Sequence, residues 1–337
     1  GSDIAAFSLL GPKWDEKTFE EHNVTLDFVA KTEDIKEEIK IKSALPPLLP
    51  KHEVEATFNM PHFETKTETG VAVHSKTDNS WYVLPVINQV TVAGFEDKLR
   101  LTQTVKYIAQ GQYYDYFNAG LSFGGLSLEF SEIYTSGYDY DPVTGWKSNG
   151  EVRFRPYQGV ARFDLPKKTY YFWKDRIVVS PTLNTSVVVD FLKPTASYFT
   201  FSPGLDFTVN EFLHLTFSSD HRNDVIFRYV QDGLGKSGWL PGETNWFVDL
   251  AKSYNFANLA DRQASGFKVN SFKMQLTHDL HDWNVNSKLE ISPRMVYENG
   301  YSHLDYTPSF SFSAVWKPLP AAKAEIVDEY GTVQLNP

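Results

Sequence analysis

The run His278-Asp279-Leu280-His281-Asp282 places imidazoles and carboxylates at the close spacing from which zinc sites are built. It also lies between Leu276 and Trp283, where two extended segments have to reverse, and aspartate is a favoured turn residue. The spacing therefore predicts a turn. Ser218-Ser219-Asp220-His221-Arg222-Asn223-Asp224 is a second polar cluster, placed at another strand reversal and read the same way. Serine, histidine and aspartate are all present, but nucleophilic catalysis needs them within hydrogen-bond reach, and no motif sets that geometry. The sequence has no glycine-rich phosphate loop, zinc-protease helix or dinucleotide fingerprint. With no cysteine there is no thiol nucleophile or thiolate site either. The expectation is a protein that is not an enzyme, with no catalytic residue, no metal and no cofactor.

The elements that carry these residues show a period of two. Trp283, Val285, Leu289, Ile291, Met295 and Tyr297 share one parity, interrupted by Ser287 and Pro293, and Asn284, Asn286, Lys288, Glu290, Ser292 and Arg294 take the other. Successive side chains on extended backbone point to opposite faces, so this pattern predicts a strand. At ~3.3 Å per residue it would reach roughly 50 Å, far beyond a common strand. The same alternation recurs in Phe199–Val209, in Leu99–Tyr107, in Phe272–Leu276 and in Phe310–Trp316. One face of each segment is oily and the other carries hydroxyls and charges. A soluble antiparallel sheet would show alternation too, but the strand lengths and the aromatic ends favour a membrane wall.

The expected fold is all-β: an antiparallel transmembrane β-barrel of about 14 strands, with 12 to 16 defensible, and one short loop helix. The 337 residues then form a single domain, with residues 1–50 the least legible and 321–337 a C-terminal tail. No run of about 18 apolar residues is available for a spanning helix, so any crossing is made by strands. A barrel of this size has a lumen too wide for side chains to fill. The candidate lumen-facing residues are Lys98, Arg100, Lys106, Arg153, Arg155, Lys273, Lys288, Glu290 and Arg294. A net charge of -10 without a basic run argues against nucleic acid as a partner. The acidic residues from Glu33 to Glu38, with Glu64 and Glu68, are read as a solvated strand end or loop. The opening Gly1-Ser2 resembles a cloning scar, so the lack of a visible signal peptide says nothing about export.

Along the chain, Val24 to Phe28 alternate as a strand, and Glu33 to Lys42 are also assigned to a strand. Pro46, Pro47 and Pro50 mark a boundary, because proline lacks the amide hydrogen that a ladder requires. Phe117–Phe123 and Leu126–Tyr134 flank Gly124-Gly125, a two-residue hairpin signal. Residues 138–150 predict a longer exposed loop. Strands are expected over Glu151–Phe163, Thr169–Ser180, Thr182–Leu192, Tyr198–Val209 and Phe212–Ser219. Trp246, Phe247, Leu250, Ala251 and Tyr254 fall at helical spacing, which predicts a short amphipathic helix over Glu243–Phe256. It would dock into the barrel mouth or lie at the lipid interface.

The segment Ser265–Phe272, then Leu276–Trp283, then Phe310–Pro320 ending Val315-Trp316-Lys317-Pro318-Leu319-Pro320 resembles the C-terminal end of LptD-like outer-membrane assembly proteins of the spirochaete and Bacteroidetes type. Asn245–Leu250 through Arg262 is similar as well. The resemblance covers roughly the last hundred residues. It implies a bacterial outer-membrane barrel that inserts a lipopolysaccharide-like glycolipid into the outer leaflet through a seam between its first and last strands. It also implies as partners outer-membrane lipid, a plug lipoprotein and periplasmic bridge proteins. The chain departs from the family in lacking cysteine and in its shortness, so it is either a trimmed barrel portion or a smaller relative without the plug. Pro46, Pro47, Pro50, Pro61 and Pro308 are the candidate seam residues, because each removes a ladder donor.

Two other functions compete with lipid export. A porin-like channel for small solutes needs the same fold and would use the same charged lumen. A soluble, secreted glycan-binding β protein would instead use its exposed aromatics to stack on sugars.

Overall fold

The computed structural model describes residues 23–336 apart from 46, 47, 76, 167, 256, 257, 299, 300 and 330. Phe7–Leu10, Pro46, Pro47 and Phe256 lie outside the described residues. The fold is all-β and antiparallel, as the alternation predicts. It divides into two compact units, residues 1–159 and 160–337.

The first unit contains β1 (Asn23–Lys31), β2 (Lys36–Ala44), β3 (Lys51–Met60), β4 (Phe63–Val73), β5 (Trp81–Val83), β6 (Val86–Gly94), β7 (Leu99–Ile108), β8 (Tyr113–Phe123) and β9 (Leu126–Asp141). It also holds most of β10 (Gly145–Asp164). Each long strand pairs with its sequence neighbour, and β5 forms a short branch on β4. The register keeps like residues in line across strands. Met60, Phe63, Val92, Leu101, Leu121 and Leu128 form one apolar row, and Asn59, Glu64, Thr91, Thr102, Gly120 and Glu129 form the polar row beside it.

The second unit contains β11 (Tyr170–Phe172), β12 (Ile177–Asp190), β13 (Tyr198–Val209), β14 (Leu213–Asn223), α1 (Trp246–Ser253), α2 (Leu259–Ala264), β15 (Phe267–Asp279) and β16 (Trp283–Ile291). They are followed by β17 (Arg294–Glu298), β18 (Tyr301–Asp305), β19 (Ser309–Trp316), β20 (Lys323–Glu329) and β21 (Thr332–Asn336). Here too the faces separate. Pro181, Leu205, Phe217, Met274, Leu289 and Phe310 form an apolar row, and Ser180, Asp206, Thr216, Gln275, Lys288 and Ser311 form a polar one.

Several sequence expectations need correction. The described residues form 21 strands, more than the expected 12 to 16. Residues 321–337 are not a bare tail, because β20 pairs with β19 and β21 pairs with β20. The segment Trp283–Tyr297 is not one strand. It breaks at Ser292-Pro293, and β17 leaves to pair only with β18 in a separate two-stranded sheet. Pro293 offers no amide hydrogen at that point. The expected loop over 138–150 is instead a tight reversal, in which Asp141 Oδ1 accepts from the amides of Val143 (2.9 Å) and Thr144 (2.7 Å). Pro181, expected to lie between two strands, sits inside β12 opposite Leu205.

The reversal in that region occurs at Trp173-Lys174-Asp175, all with positive φ (49°, 54° and 64°). Phe95-Glu96-Asp97 repeats the geometry with 49°, 56° and 63°. L-residues resist the left-handed region, and glycine does not. Replacing Lys174 with glycine is therefore expected to stabilise the fold by about 1 kcal/mol, read as a raised denaturation midpoint; an unchanged or lowered midpoint would show that the turn is not strained. Gly124 at φ +58° makes the predicted two-residue hairpin, with Phe123 facing Leu126.

Candidate functional site

Among the described residues, the side chains of the two apolar rows are half-buried or exposed, and none of them is fully buried. Among the described residues only eight apolar side chains are buried: Ala72, Val73, Val160, Val188, Phe227, Phe267, Val269 and Ile291. By contrast Phe28 is 58% exposed, Leu101 45% and Phe123 54%, although each sits on a regularly paired strand. A dry core normally takes up most of the large apolar side chains of a domain. Here they stay on an open face.

The opposite face is densely charged in the first unit. Lys36 and Lys40 flank Glu38 at 2.5 and 3.1 Å, Lys66 bridges Glu55 (3.1 Å) and Glu68 (2.5 Å), and Lys51 meets Glu53 at 2.7 Å. These groups share one face because Lys40, Glu55 and Glu68 are in register across β2, β3 and β4. A cleft of about 260 Å³ opens among Lys40, Lys42, Lys51, Glu53, Glu55 and Glu68. Exposed ion pairs of this kind add little to stability, because water screens them. Their consistent effect is to make the face polar and of mixed sign. Glu38, Glu64 and Glu68, expected in a solvated strand end or loop, lie instead within paired strands. The sequence signal for this face is the i, i+2 spacing of Lys36, Glu38, Lys40 and Lys42, repeated in Lys51, Glu53 and Glu55.

The predicted lumen residues are only partly brought together. Arg100 and Lys106 share a face of β7, where Lys106 pairs with Asp115 at 2.6 Å across a bulge. Lys98 lies just before β7 in the exposed turn beside Glu96 (3.2 Å). Arg153 and Arg155 both approach Glu151, at 4.0 and 2.8 Å. In the second unit Lys273 and Lys288 close on Glu290 at 3.2 and 2.8 Å, the tightest cluster of the predicted set. Arg294 belongs to the side hairpin, where its guanidinium reaches Asp305 at 2.7 Å. Asp305 is held at about 2, chiefly by the Thr307 hydroxyl and amide and then by Arg294. Its folded-state value lies below its unfolded one, so the stabilisation is complete above the ordinary carboxylate range and is lost as pH falls toward about 2. The protection factors of amides across β17 and β18, which remove the intrinsic pH dependence of exchange, are expected to fall in that window and to stay flat above it; protection that ignores the window would discount the Asp305 contacts.

Of the proposed seam prolines, Pro50 precedes β3 and its carbonyl accepts from Val73 at 3.0 Å. Pro61 occupies the turn between β3 and β4. Pro308 precedes β19, which is paired on both sides, by β16 and by β20, and is not the last strand. Pro46 and Pro47 lie outside the described residues.

The two polar clusters differ in outcome. Leu280-His281-Asp282 makes the predicted β15–β16 turn, while His278 and Asp279 are the last paired residues of β15, with Lys317 on the Asp279 carboxylate. Ser218–Asn223 is a correction: it does not reverse but continues β14. The connection from β14 to β15 folds back over it. A 3-10 turn at Ile226–Tyr229 and helix α1 pack on the apolar face, with Trp246 against Phe199 (6.4 Å) and Phe267 (5.5 Å). The predicted helix is therefore present but shorter, starting from an Asn245 cap whose side chain accepts from Phe247 and Val248. Its covered side lies against Phe199 and Phe267 on the apolar face of β13 and β15.

Beneath it is a polar network that sequence reasoning did not find. Asp249 is fully buried; its Oδ2 accepts from the Tyr229 hydroxyl and from the Gly266 amide (2.9 Å), and its carbonyl accepts from Ser265 Oγ (2.8 Å). Asn223 Nδ2 donates to the Tyr229 oxygen at 2.7 Å. Burial, then the Asp249 carboxylate, pushes the Tyr229 hydroxyl above its ordinary value. Arg228 Nη1 stands 3.9 Å from Asp249. Ser219 Oγ lies 2.8 Å from His221 Nε2, and the Tyr254 hydroxyl lies 2.6 Å from the same nitrogen. Serine and histidine at this distance have the types of a nucleophile and its base. However, Ser219 also donates to the Ser271 carbonyl (3.0 Å), both side chains are sealed off, and His221 Nδ1 has no partner to orient it. The arrangement pins the connection to the sheet.

No protein-family model and no curated protein matches the chain. Among solved structures, the Pseudomonas aeruginosa protein OccK10 (OpdN) aligns over 93% of this chain and 89% of its own, at 9% identity and a TM-score of 0.33.

Proposed function

We propose that the chain is the wall of a bacterial outer-membrane β-barrel, with its apolar face in hydrocarbon and its polar face lining a passage for small hydrophilic solutes. The observation that carries this reading is the pairing of eight buried apolar side chains with long rows of exposed ones on hydrogen-bonded strands. In water such rows would drive aggregation; in lipid they are the expected surface. Strands of 11 to 14 residues, such as β4, β8, β12 and β13, also suit a tilted crossing, which takes about 9–11 residues. The polar face of mixed sign suits a conduit for polar solutes better than a route for acyl chains. Export of a lipopolysaccharide-like glycolipid, with its plug lipoprotein and periplasmic bridge, rests on the C-terminal resemblance alone. A soluble glycan-binding protein would need a far larger dry core.

The test is to extract the full chain in detergent, add it to planar bilayers and record conductance. Steady steps support the passage, and silence at all voltages removes it. Reversing Lys42 and Lys51 together to glutamate should shift the reversal potential in a salt gradient toward cation preference, because both line the charged cleft of the first unit. An unmoved reversal potential would take that cleft out of the conducting path.

A further inference from the structure

Between the ends of β12 and β13 and the connection that folds back over them lies a cavity of about 640 Å³. Its walls are hydrocarbon: Val187, Phe199, Ile226, Phe227, Leu234 and Trp246 are among them. The polar side chains at its margin are already engaged. Ser197 Oγ accepts from the Asp190 amide (3.0 Å), Asp190 Oδ1 accepts from the amides of Leu192 (2.8 Å) and Lys193 (2.7 Å), and Tyr229 donates to Asp249. The volume falls in the range of small-molecule sites, about 300–1,000 Å³. A hydrophilic occupant would find little to bind there.

We propose that this cavity holds an acyl chain of a membrane lipid, with the headgroup outside it. The inference rests on the reading of the apolar rows as the lipid-facing side and adds a discrete site to it. Three observations select the occupant. First, the cavity lies on the same face as the Leu205–Phe217–Met274 row, so it is continuous with the surface assigned to hydrocarbon. Second, some of the apolar side chains that line it are exposed, with Val230 at 52% and Leu234 at 62%, so the path from the surrounding medium is apolar as well. Third, the buried Asp249 network holds the 3-10 turn and α1 in place, which makes the cavity a preformed hollow that a flexible chain can enter. A neighbouring protein would have to supply a matching apolar knob, whereas lipid tails are present along the whole surface.

The experiment reconstitutes the full chain in phosphatidylcholine vesicles that contain a small share of phosphatidylcholine with a mid-chain diazirine, followed by irradiation and peptide mapping. Adducts are expected to concentrate in 187–191, 226–234 and at Trp246, above the level along Leu205, Phe217 and Met274. Val187→Trp pushes an indole into the hollow and should lower the concentrated adducts while leaving those on the strand row. Val187→Leu, a milder fill, should reduce them and guards against a tryptophan variant that does not fold. Adducts spread evenly and unchanged by filling would overturn the site yet keep the membrane wall. Their absence from the strand row too would overturn the wall itself.

Discussion

Arginine in place of Phe217 is expected to cost the folded protein about 2–4 kcal/mol in a bilayer, whereas arginine at the adjacent Thr216 should cost little. Phe217 lies near the middle of β14, opposite Leu205 and Met274, and meets the Phe272 ring at 5.4 Å. Thr216 points the other way, between Asp206 and Gln275. The two positions share backbone, strand and depth and differ only in face. Urea unfolding of the refolded protein in lipid vesicles measures both. Equal costs would mean that the two faces meet the same medium, and the passage would go with the wall. The contrast is large because a guanidinium in hydrocarbon loses its hydration with nothing to replace it, while on the polar face it has water and a carboxylate.

Asp249→Leu is expected to destabilise the connection between β14 and β15 by about 3–5 kcal/mol, the cost of removing one partner of a buried, hydrogen-bonded charge. The Tyr229 hydroxyl and the Gly266 amide would both lose their acceptor, and Arg228 would lose its nearest carboxylate. The substitution keeps the branching and heavy-atom count of the side chain and adds hydrocarbon, so a purely apolar cover would tolerate it. The readout is protease cleavage within 224–266 under native conditions, which should rise by orders of magnitude while the strands remain protected. Wild-type resistance would show that the rings of Trp246 and Phe267 hold the connection without the carboxylate. The acyl-chain site gives this test a second consequence, since loosening α1 should also empty the cavity.

Local signals were readable where local chemistry is decisive. Gly124-Gly125 predicted its hairpin because a two-residue turn needs residues that accept positive φ. The reversal at Trp173-Lys174-Asp175 carried only a weak signal, because of the three only Asp175 is of a type enriched in the left-handed region and the strand pairing on either side imposes the geometry. Trp283–Ile291 was legible as a strand, but Met295 and Tyr297 kept the same parity after Pro293 and extended it falsely. Parity is blind to a chain that leaves the sheet. Asp249, between Val248 and Leu250 on a short helix, has the look of a solvent-facing residue until the connection folds onto β14 and β15. Likewise the Lys273, Lys288 and Glu290 cluster was assembled from single candidates only by the β15–β16 register.

The amino-acid order by itself determined that this protein is made of strands with one oily and one wet side, because side-chain direction on extended backbone is a property of each residue and its nearest neighbours. Only the tertiary structure decided which charges become partners, where the chain leaves the sheet, and that the β14–β15 connection covers the oily side with a carboxylate sealed beneath it. Those outcomes depend on contacts between residues far apart in the chain, such as Ser219 with Ser271, Tyr229 with Asp249 and Gly266 with Asp249. Their cost or benefit is set by burial, which no short stretch of sequence contains.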